Sequence, residues 1–307
     1  MAAVLQGFSL IGVVVAVGWL LAHTRLLGVE AQRMLAVLTF RVGSPCLLFL
    51  VVAEADVQVV FSGFLVATVV AVAVTGAAYL LLARLLWRRT WTHTVMGGMS
   101  VTYVNSNNLG LPIAIYVLGD PAWAAPIVLL QLLVLQPLWL AALDASGGER
   151  ISLARLLRSP FTNPLTIGSL LGLAVSLTGI TLPSVVLDPV DLIAGLAIPC
   201  MLIAFGISLR LSPLPGRGGT ATELLVAAGL KLALMPAVAV LVAGPVLGLD
   251  PQAVLAAGVM AALPTAQNVF VLAVAYGRGE QLARDVVFTT TLLAMPAMLV
   301  LVSVMPR

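Results

Sequence analysis

Charged side chains are scarce in this sequence, and so are the residues that build most metal and redox sites. Aspartate, glutamate, lysine and arginine make up 9% of the 307 residues, whereas soluble domains carry about a quarter. The two histidines and two cysteines stand apart in the sequence, which argues against a metal-ligand cluster or a disulfide framework. We expect no metal, no cofactor and no nucleic-acid partner, because the net charge of +3 comes from basic residues in short loops.

Hydrophobic residues are correspondingly abundant in the sequence. They account for 61% of the chain, and the mean hydropathy is +1.15. The apolar residues form long continuous runs instead of the alternating pattern that outer-membrane barrels show. The fold class predicted from this composition is an all-α polytopic membrane protein.

The length of each apolar run predicts how often the chain crosses a bilayer, since about 20 apolar residues span its hydrocarbon core. The first run, "FSLIGVVVAVGWLLA", lacks the flanking signals of a cleaved signal peptide, so we interpret it as a retained span. The ten predicted spans cover residues 4–22, 33–52, 60–83, 94–118, 125–144, 164–179, 190–209, 222–247, 252–276 and 285–305.

The loops between these spans alternate in charge. The five odd-numbered loops hold twelve basic residues and the even-numbered loops hold none. Because lysine and arginine mark the cytoplasmic side, we expect a multi-pass protein of the cytoplasmic (inner) membrane with both termini non-cytoplasmic. The basic residues are Arg25, Arg33, Arg84, Arg88, Arg89, Arg150, Arg155, Arg158, Arg210, Arg217, Arg278 and Arg284, and the even-numbered loops carry Glu54, Asp56, Asp120, Asp188, Asp191 and Asp250.

Ten spans with an external N-terminus divide into two halves of opposite orientation, as in many secondary transporters. We predict a first five-helix repeat over residues 1–145, a cytoplasmic linker over 146–163 and a second, inverted repeat over 164–307. A Pro–Cys dipeptide begins at Pro45 in span two and at Pro199 in span seven, which are matching places in the two halves.

Two of the spans carry polar residues and a proline near their middle. Span four contains "NSNNLGLP" and span nine contains "LPTAQNVFVLAVAYG". Lipid cannot satisfy the backbone groups that proline and glycine free from a helix, so such a segment must be buried in protein or line a cavity. We predict two broken helices, whose second halves are opened by Pro112 and Pro264. For either span alone, a simple kink or a helix-packing contact is the alternative.

These interruptions form the candidate substrate site. The second half-helices direct their positive dipole ends towards the membrane centre, and side-chain amides there donate hydrogen bonds, so an anion is the expected ligand. The candidate substrate-binding residues are Asn105, Asn107, Asn108, Gly110, Pro112, Pro264, Thr265, Gln267 and Asn268.

Two basic residues, Arg41 and Lys231, lie well inside predicted spans. They either attract an anionic substrate or extend their head groups back to the interface, and the sequence leaves both interpretations open. No aspartate or glutamate lies in the central part of a span, which argues for uniport or for a driving force other than protons.

The chain resembles the auxin efflux carrier family, which includes the plant PIN-formed exporters and bacterial carriers for malate and malonate. The resemblance covers nearly the whole chain, and its most specific pattern is Asn-x4-Gly-x-Pro at Asn105, Gly110 and Pro112. Softer matches are "FRVGSPCLLF", "TNPLTIGSLLGL", "AIPCMLIAFGISL" and "LPTAQNVFVLAVAYG".

The resemblance implies a scaffold of spans one, two, six and seven and a transport domain of spans three to five and eight to ten. In that family the broken spans cross and hold an organic anion, the scaffold forms a homodimer, and transport follows an elevator-like motion. The resemblance also implies that Ser44, Pro45 and Pro199 are site residues on the scaffold side. Plant exporters carry a long central loop that this chain lacks, so auxin specificity does not follow.

The function expected from the sequence is therefore a secondary transporter of a small organic anion, such as a carboxylate, in a lipid bilayer. The alternative is a sodium-coupled organic-anion symporter of the bile-acid symporter type, because unwound carbonyls and asparagines can bind sodium. A channel fits the inverted repeat less well. An intramembrane enzyme is disfavoured because no nucleophile has a visible base.

Overall fold

A computed structural model describes residues 2–54, 63–146, 163–211, 215 and 221–305 of the chain. The regular elements in these ranges are helices. They are α1 (Ala2–His23), α2 (Val29–Glu54), α3 (Gly63–Leu85), α4 (Trp91–Thr102), α5 (Leu111–Tyr116, entered through a π-helical turn at Ser106–Gly110), α6 (Pro121–Leu143), α7 (Pro164–Thr178), α8 (Ser184–Leu211), α9 (Ala221–Val246), α10 (Pro251–Ala261), α11 (Gln267–Tyr276) and α12 (Glu280–Val304).

Six helices of the described ranges are long and apolar enough to cross a membrane, namely α2, α3, α6, α8, α9 and α12. Shorter apolar helices cover Ser9–His23, Pro164–Thr178 and Pro251–Ala261. The expected all-α, multi-pass membrane protein is confirmed. The arrangement of ten spans as an inverted repeat stays a prediction. The predicted cytoplasmic linker lies almost entirely outside the described residues, as do Arg150, Arg155, Arg158, Arg217 and Asp56.

Polar residues at the helix starts explain where several of the apolar runs become helical. The Asn163 side chain accepts a hydrogen bond from the Leu165 N–H at the start of α7, and Asp250 accepts two from the first turn of α10. These side chains satisfy backbone donors that a helix N-terminus leaves without partners. Gly179, with φ of 64°, ends α7 in the left-handed conformation that glycine adopts most easily.

The described helices belong to two compact units. The first comprises Met1–Phe61, Asn107–Leu133 and Leu157–Pro213, and therefore holds α1, α2, α5, the first half of α6, α7 and α8. The second comprises Ser62–Ser106, Val134–Leu156 and Leu214–Arg307, and holds α3, α4, the rest of α6 and α9 to α12. The four spans that the resemblance assigns to a scaffold all lie in the first unit.

In the first unit, α1 packs closely along α8 because both helices present glycine at the contact. A Cβ atom at Gly18 would collide with the Ile203 carbonyl oxygen, and one at Gly206 would collide with that of Val15. The helix axes can approach this closely only where no side chain stands between them.

In the second unit, two apolar clusters hold the helices together. One joins α4, α6, α11 and α12 through Met96, Leu143, Val269 and Ala283, all of them buried. The other joins α3, α4, α9 and α12 through Tyr79, Val101, Leu224 and Val286. The N-terminal parts of α4 and α12 are thereby fixed against neighbours on several sides, which positions the interruption that follows α4.

Candidate functional site

The helix of predicted span four is interrupted after Thr102. Tyr103 has extended backbone (φ −88°, ψ 104°), and helical structure resumes only with the π-helical turn that begins at Ser106. Pro112 lies in the first turn of α5, where its missing N–H matters least. The π-helical turn before it means that the second half-helix starts earlier than the proline alone predicts.

The helix of predicted span nine is interrupted between Ala261 and Gln267. The prediction that Pro264 opens the second half-helix is wrong, since α11 begins three residues later. The reason lies in the pairing of this segment: the Pro264 carbonyl accepts a hydrogen bond from another chain segment, and Thr265 pairs with the same segment.

The two interruptions pair with each other inside the second unit. Val104 and Thr265 form an antiparallel β-bridge, in which the Asn105 N–H donates to the Pro264 oxygen at 2.8 Å and the Ala266 N–H donates to the Tyr103 oxygen at 3.0 Å. Of these six residues, five are at most 6% exposed, and the sixth, Pro264, is buried too. Backbone groups that the broken helices release are thus satisfied by the opposite segment, as burial at membrane depth requires.

Side chains of neighbouring helices hold Thr265 in this pairing. Its hydroxyl donates to the Ser100 carbonyl of α4 at 2.6 Å, and its N–H donates to the Thr290 hydroxyl of α12 at 3.1 Å. Thr290 in turn donates to the Val286 carbonyl at 2.7 Å. Sequence reasoning missed Ser100 and Thr290, and only the run of three threonines within an apolar stretch of α12 could have indicated such a role.

A second polar contact lies beside the bridge. The Tyr103 hydroxyl donates to the Gln136 side-chain oxygen of α6 at 3.0 Å, and the Asn268 side chain hydrogen-bonds to the same hydroxyl. Tyr103 is buried and Asn268 is exposed, so this group joins the buried bridge to the surface of the second unit. Gln267, in the first turn of α11, is half-buried.

The structure brings together only part of the predicted substrate-binding set. Asn105, Pro264 and Thr265 meet at the bridge, and Gln267 and Asn268 follow it directly on α11. The remaining predicted residues, Asn107, Asn108, Gly110 and Pro112, belong to the first compact unit. Of the residues expected on the scaffold side, Ser44 is buried, Pro45 is half-buried and Pro199 is exposed, so the two Pro–Cys pairs have different surroundings.

The two intramembrane basic residues differ sharply in their surroundings. Lys231 is completely buried in a π-helical turn of α9, where its Nζ atom donates to the Met235 sulfur at 3.2 Å and to the Ala261 carbonyl oxygen at 3.4 Å. Ala261 is the last residue of α10, so the ammonium meets the negative end of that helix beside the interruption. A snorkelling side chain would instead hold its head group in water. Arg41 is exposed.

Sequence reasoning also missed a buried carboxylate near the start of α9. Glu223 is 1% exposed and accepts hydrogen bonds from the Tyr79 hydroxyl at 2.7 Å and from Arg89 at 2.9 and 3.1 Å. The Nε2 atom of His93 lies 2.9 Å from the same carboxylate. These partners come from α3, from the connection after it and from the first turn of α4. The cluster therefore links three elements of the second unit at the end remote from the interruption of α4.

A multi-pass helical protein with two buried, mutually paired helix interruptions has the features of a membrane transporter. Comparison with known proteins gives the family. The chain belongs to the membrane transport protein family, whose model matches residues 6–143 and 149–302. The resemblance to the auxin efflux carriers is thereby confirmed. The chain is also 28% identical over 277 residues to a protein of Rhizobium meliloti (strain 1021) named "Putative malonate transporter", and the match covers 86% of this chain and 84% of that relative.

Proposed function

We propose that this protein is a secondary carrier that moves a small organic anion, specifically a carboxylate, across the cytoplasmic membrane. The observation that carries the proposal is the pairing of the two helix interruptions at Val104 and Thr265. A family of transport proteins and a relative named for malonate support the same conclusion.

The chemistry of the interruptions favours an anion. The N-terminus of α11 directs a partial positive charge at the segment that contains Thr265. Amide groups of Asn105, Gln267 and Asn268 lie on or beside the paired segments and offer N–H donors to a carboxylate. The Lys231 amine adds a further hydrogen-bond donor behind the end of α10. Together these groups replace hydration that a carboxylate loses on leaving water.

We further propose an elevator-like mechanism, in which spans three to five and eight to ten carry the substrate and spans one, two, six and seven form the scaffold of a homodimer. The division of the chain into two compact units supports this assignment, since the second unit holds the complete bridge between the interruptions. The proposed orientation, with both termini outside the cytoplasm, follows from the basic loops.

A sodium-coupled symporter is the competing function, and one observation speaks against it. The Tyr103 and Pro264 carbonyl oxygens each already accept a backbone hydrogen bond, and the Ala261 oxygen faces the Lys231 ammonium. A cation would have to share these oxygens with N–H donors. We therefore propose transport that does not require sodium.

The test is uptake of radiolabelled malonate by the purified chain in proteoliposomes, with sodium replaced by choline in a parallel series. We expect saturable uptake that unlabelled dicarboxylates inhibit and that choline leaves unchanged. Uptake that rises linearly with concentration would indicate a channel, and uptake lost in choline would indicate the sodium-coupled alternative. Absence of uptake or exchange across a panel of mono- and dicarboxylates would overturn the proposal.

A further inference from the structure

An aromatic ring, a histidine and an arginine stack where α1 and α8 end in the first compact unit. The Trp19 and His23 rings are stacked with their centroids 4.8 Å apart, and the Arg210 guanidinium carbon lies 5.9 Å from the centroid of the Trp19 ring. The Arg210 Nε–H donates to His23 Nδ1 at 3.2 Å. We call these three residues the Trp19–Arg210 corner.

The corner lies beside a close contact between α1 and α8. Gly18 precedes Trp19 in the chain and packs against the backbone of α8 at Ile203, while Gly206, one turn before Arg210, packs against α1 at Val15. Because no side chain separates the helices there, the backbones that carry Trp19 and Arg210 lie at a fixed spacing, and the ring contact and the bond to His23 preorder the guanidinium. The conformational entropy lost on ordering Arg210 is therefore offset by packing in the free protein, so that ligand binding does not have to offset it.

Most of the guanidinium remains available to a ligand. The Nε–H bonds to His23, but no described residue accepts a hydrogen bond from the terminal N–H groups of Arg210, and no described carboxylate pairs with it. Arg210 is exposed, and so is Arg25 in the turn after α1. A planar guanidinium with a free edge matches the geometry of phosphate oxygens.

The surface beside the corner is apolar. Val13, Val17 and Leu20 are 64%, 43% and 53% exposed, and their spacing along α1 places them on one helical stripe, which runs beside the stripe that holds Trp19 and His23. Trp19 is 37% exposed, and tryptophan is the side chain that favours the boundary between acyl chains and head groups. Both helix ends also border basic loops that we predict to be cytoplasmic.

We propose that the Trp19–Arg210 corner binds the phosphate of an anionic phospholipid, with an acyl chain lying along the Val13–Leu20 stripe of α1. Basic sites between transmembrane helices at the cytoplasmic side commonly hold such head groups. Arg210 provides the charge and the paired donors, and His23 orients the guanidinium. The site does not depend on the proposed transport function, and it lies in a different compact unit from the paired interruptions.

The test is native mass spectrometry of the full chain titrated with phosphatidylglycerol and with phosphatidylcholine of identical acyl chains. We expect the parent protein to prefer phosphatidylglycerol, and Arg210→Gln to lower its affinity for that lipid about tenfold. Arg210→Lys keeps the charge but loses the bond to His23, so it should retain only part of the preference. Arg278→Gln removes the same charge from an exposed turn and should leave the preference unchanged.

Three outcomes would overturn the proposal. Equal losses in Arg210→Gln and Arg278→Gln would mean that overall charge, not a site, attracts the lipid. A preference that persists in Arg210→Gln would exclude the corner. Stabilisation of the parent by inorganic phosphate or malonate alone, lost in Arg210→Gln, would assign the corner to a soluble anion. If Arg210→Gln does not fold, Arg210→Lys and His23→Ala carry the same comparison.

Discussion

At the scale of single residues, Asn105 tests the anion site most directly. Its backbone N–H supports the bridge between the interruptions, whereas its side chain is the part that a substitution changes. Asn105→Ala should remove a hydrogen bond to a charged ligand, worth about 1.5–3 kcal/mol, and lower malonate affinity about ten- to a hundredfold. Asn105→Asp should bind more weakly still, because two negative charges would then face each other.

The measurement for Asn105 is the concentration dependence of uptake in proteoliposomes, together with thermal unfolding in detergent. Gln252→Ala is the matched control, since it deletes an exposed amide from the first turn of α10. Parental affinity in both Asn105 variants would show that the anion binds elsewhere in the chain.

The same uptake assay distinguishes the roles of Lys231 and Arg41 in anion binding. Lys231→Met keeps the length of a buried side chain but removes the amine beside the end of α10, so we expect anion affinity to fall about tenfold with little loss of stability. Arg41→Gln changes an exposed side chain and should leave affinity unchanged. The opposite pattern, with only Arg41→Gln affected, would contradict a role for the buried lysine in the site.

At the scale of helices, α12 supports an interruption that it does not itself contain. Thr290→Val would deprive the buried Thr265 N–H of its acceptor, which should cost about 1–3 kcal/mol of unfolding free energy, whereas Thr290→Ser keeps the acceptor and should cost less. The neighbouring Thr291 provides the control, because its buried hydroxyl bonds to no described residue. Thr291→Val should be neutral or stabilising, and comparable losses in both valine variants would contradict the specific role of Thr290.

The cluster around Glu223 gives a second prediction for the helices. Glu223→Ala would leave Arg89, His93 and Tyr79 without their common acceptor and should destabilise the protein by about 3 kcal/mol, with α9 released from α3 and α4. Thermal unfolding measures the loss. Glu280→Ala removes an exposed carboxylate from the start of α12 and should change the melting temperature only slightly. A Glu223→Ala protein as stable as the parent would show that the cluster is dispensable.

The two helices with interruptions show which features were predictable from the sequence. Pro112, Gly110 and the asparagines are local signals, so the break near Asn105 was foreseen within a few residues. The start of α11 was misplaced because the pairing of Pro264 and Thr265 with Tyr103–Asn105 is a contact between distant segments, which overrides the preference of proline for a first helical turn. The Glu223 cluster was missed for the same reason, since its partners lie 130 to 144 residues away in the chain.

At the scale of the whole molecule, the predicted orientation in the membrane determines on which side every loop of the chain lies. In a background without Cys46 and Cys200, a cysteine at Gly148 should be labelled only from the cytoplasmic side and one at Asp120 only from outside. The reason is the restriction of basic residues to the odd-numbered loops. Membrane-impermeant maleimide, applied to intact cells and to inverted vesicles, distinguishes the two. Labelling of both positions from one side would refute the predicted topology.

The bridge between the interruptions also bears on how the protein is made. Ser100 and Thr265 are joined by a hydrogen bond although 165 residues separate them, and the backbone groups of Tyr103 and Asn105 pair with the segment that contains Pro264. When the ribosome has delivered the first of these segments to the membrane, its partner has not yet been synthesised. Until then, the N-terminal half contains polar backbone groups that lipid cannot satisfy. Water or the insertion machinery must therefore shield these groups. We therefore expect only chains that contain both segments to reach the folded state. Chains that stop before α10 should be recognised and degraded, even when their earlier helices insert correctly.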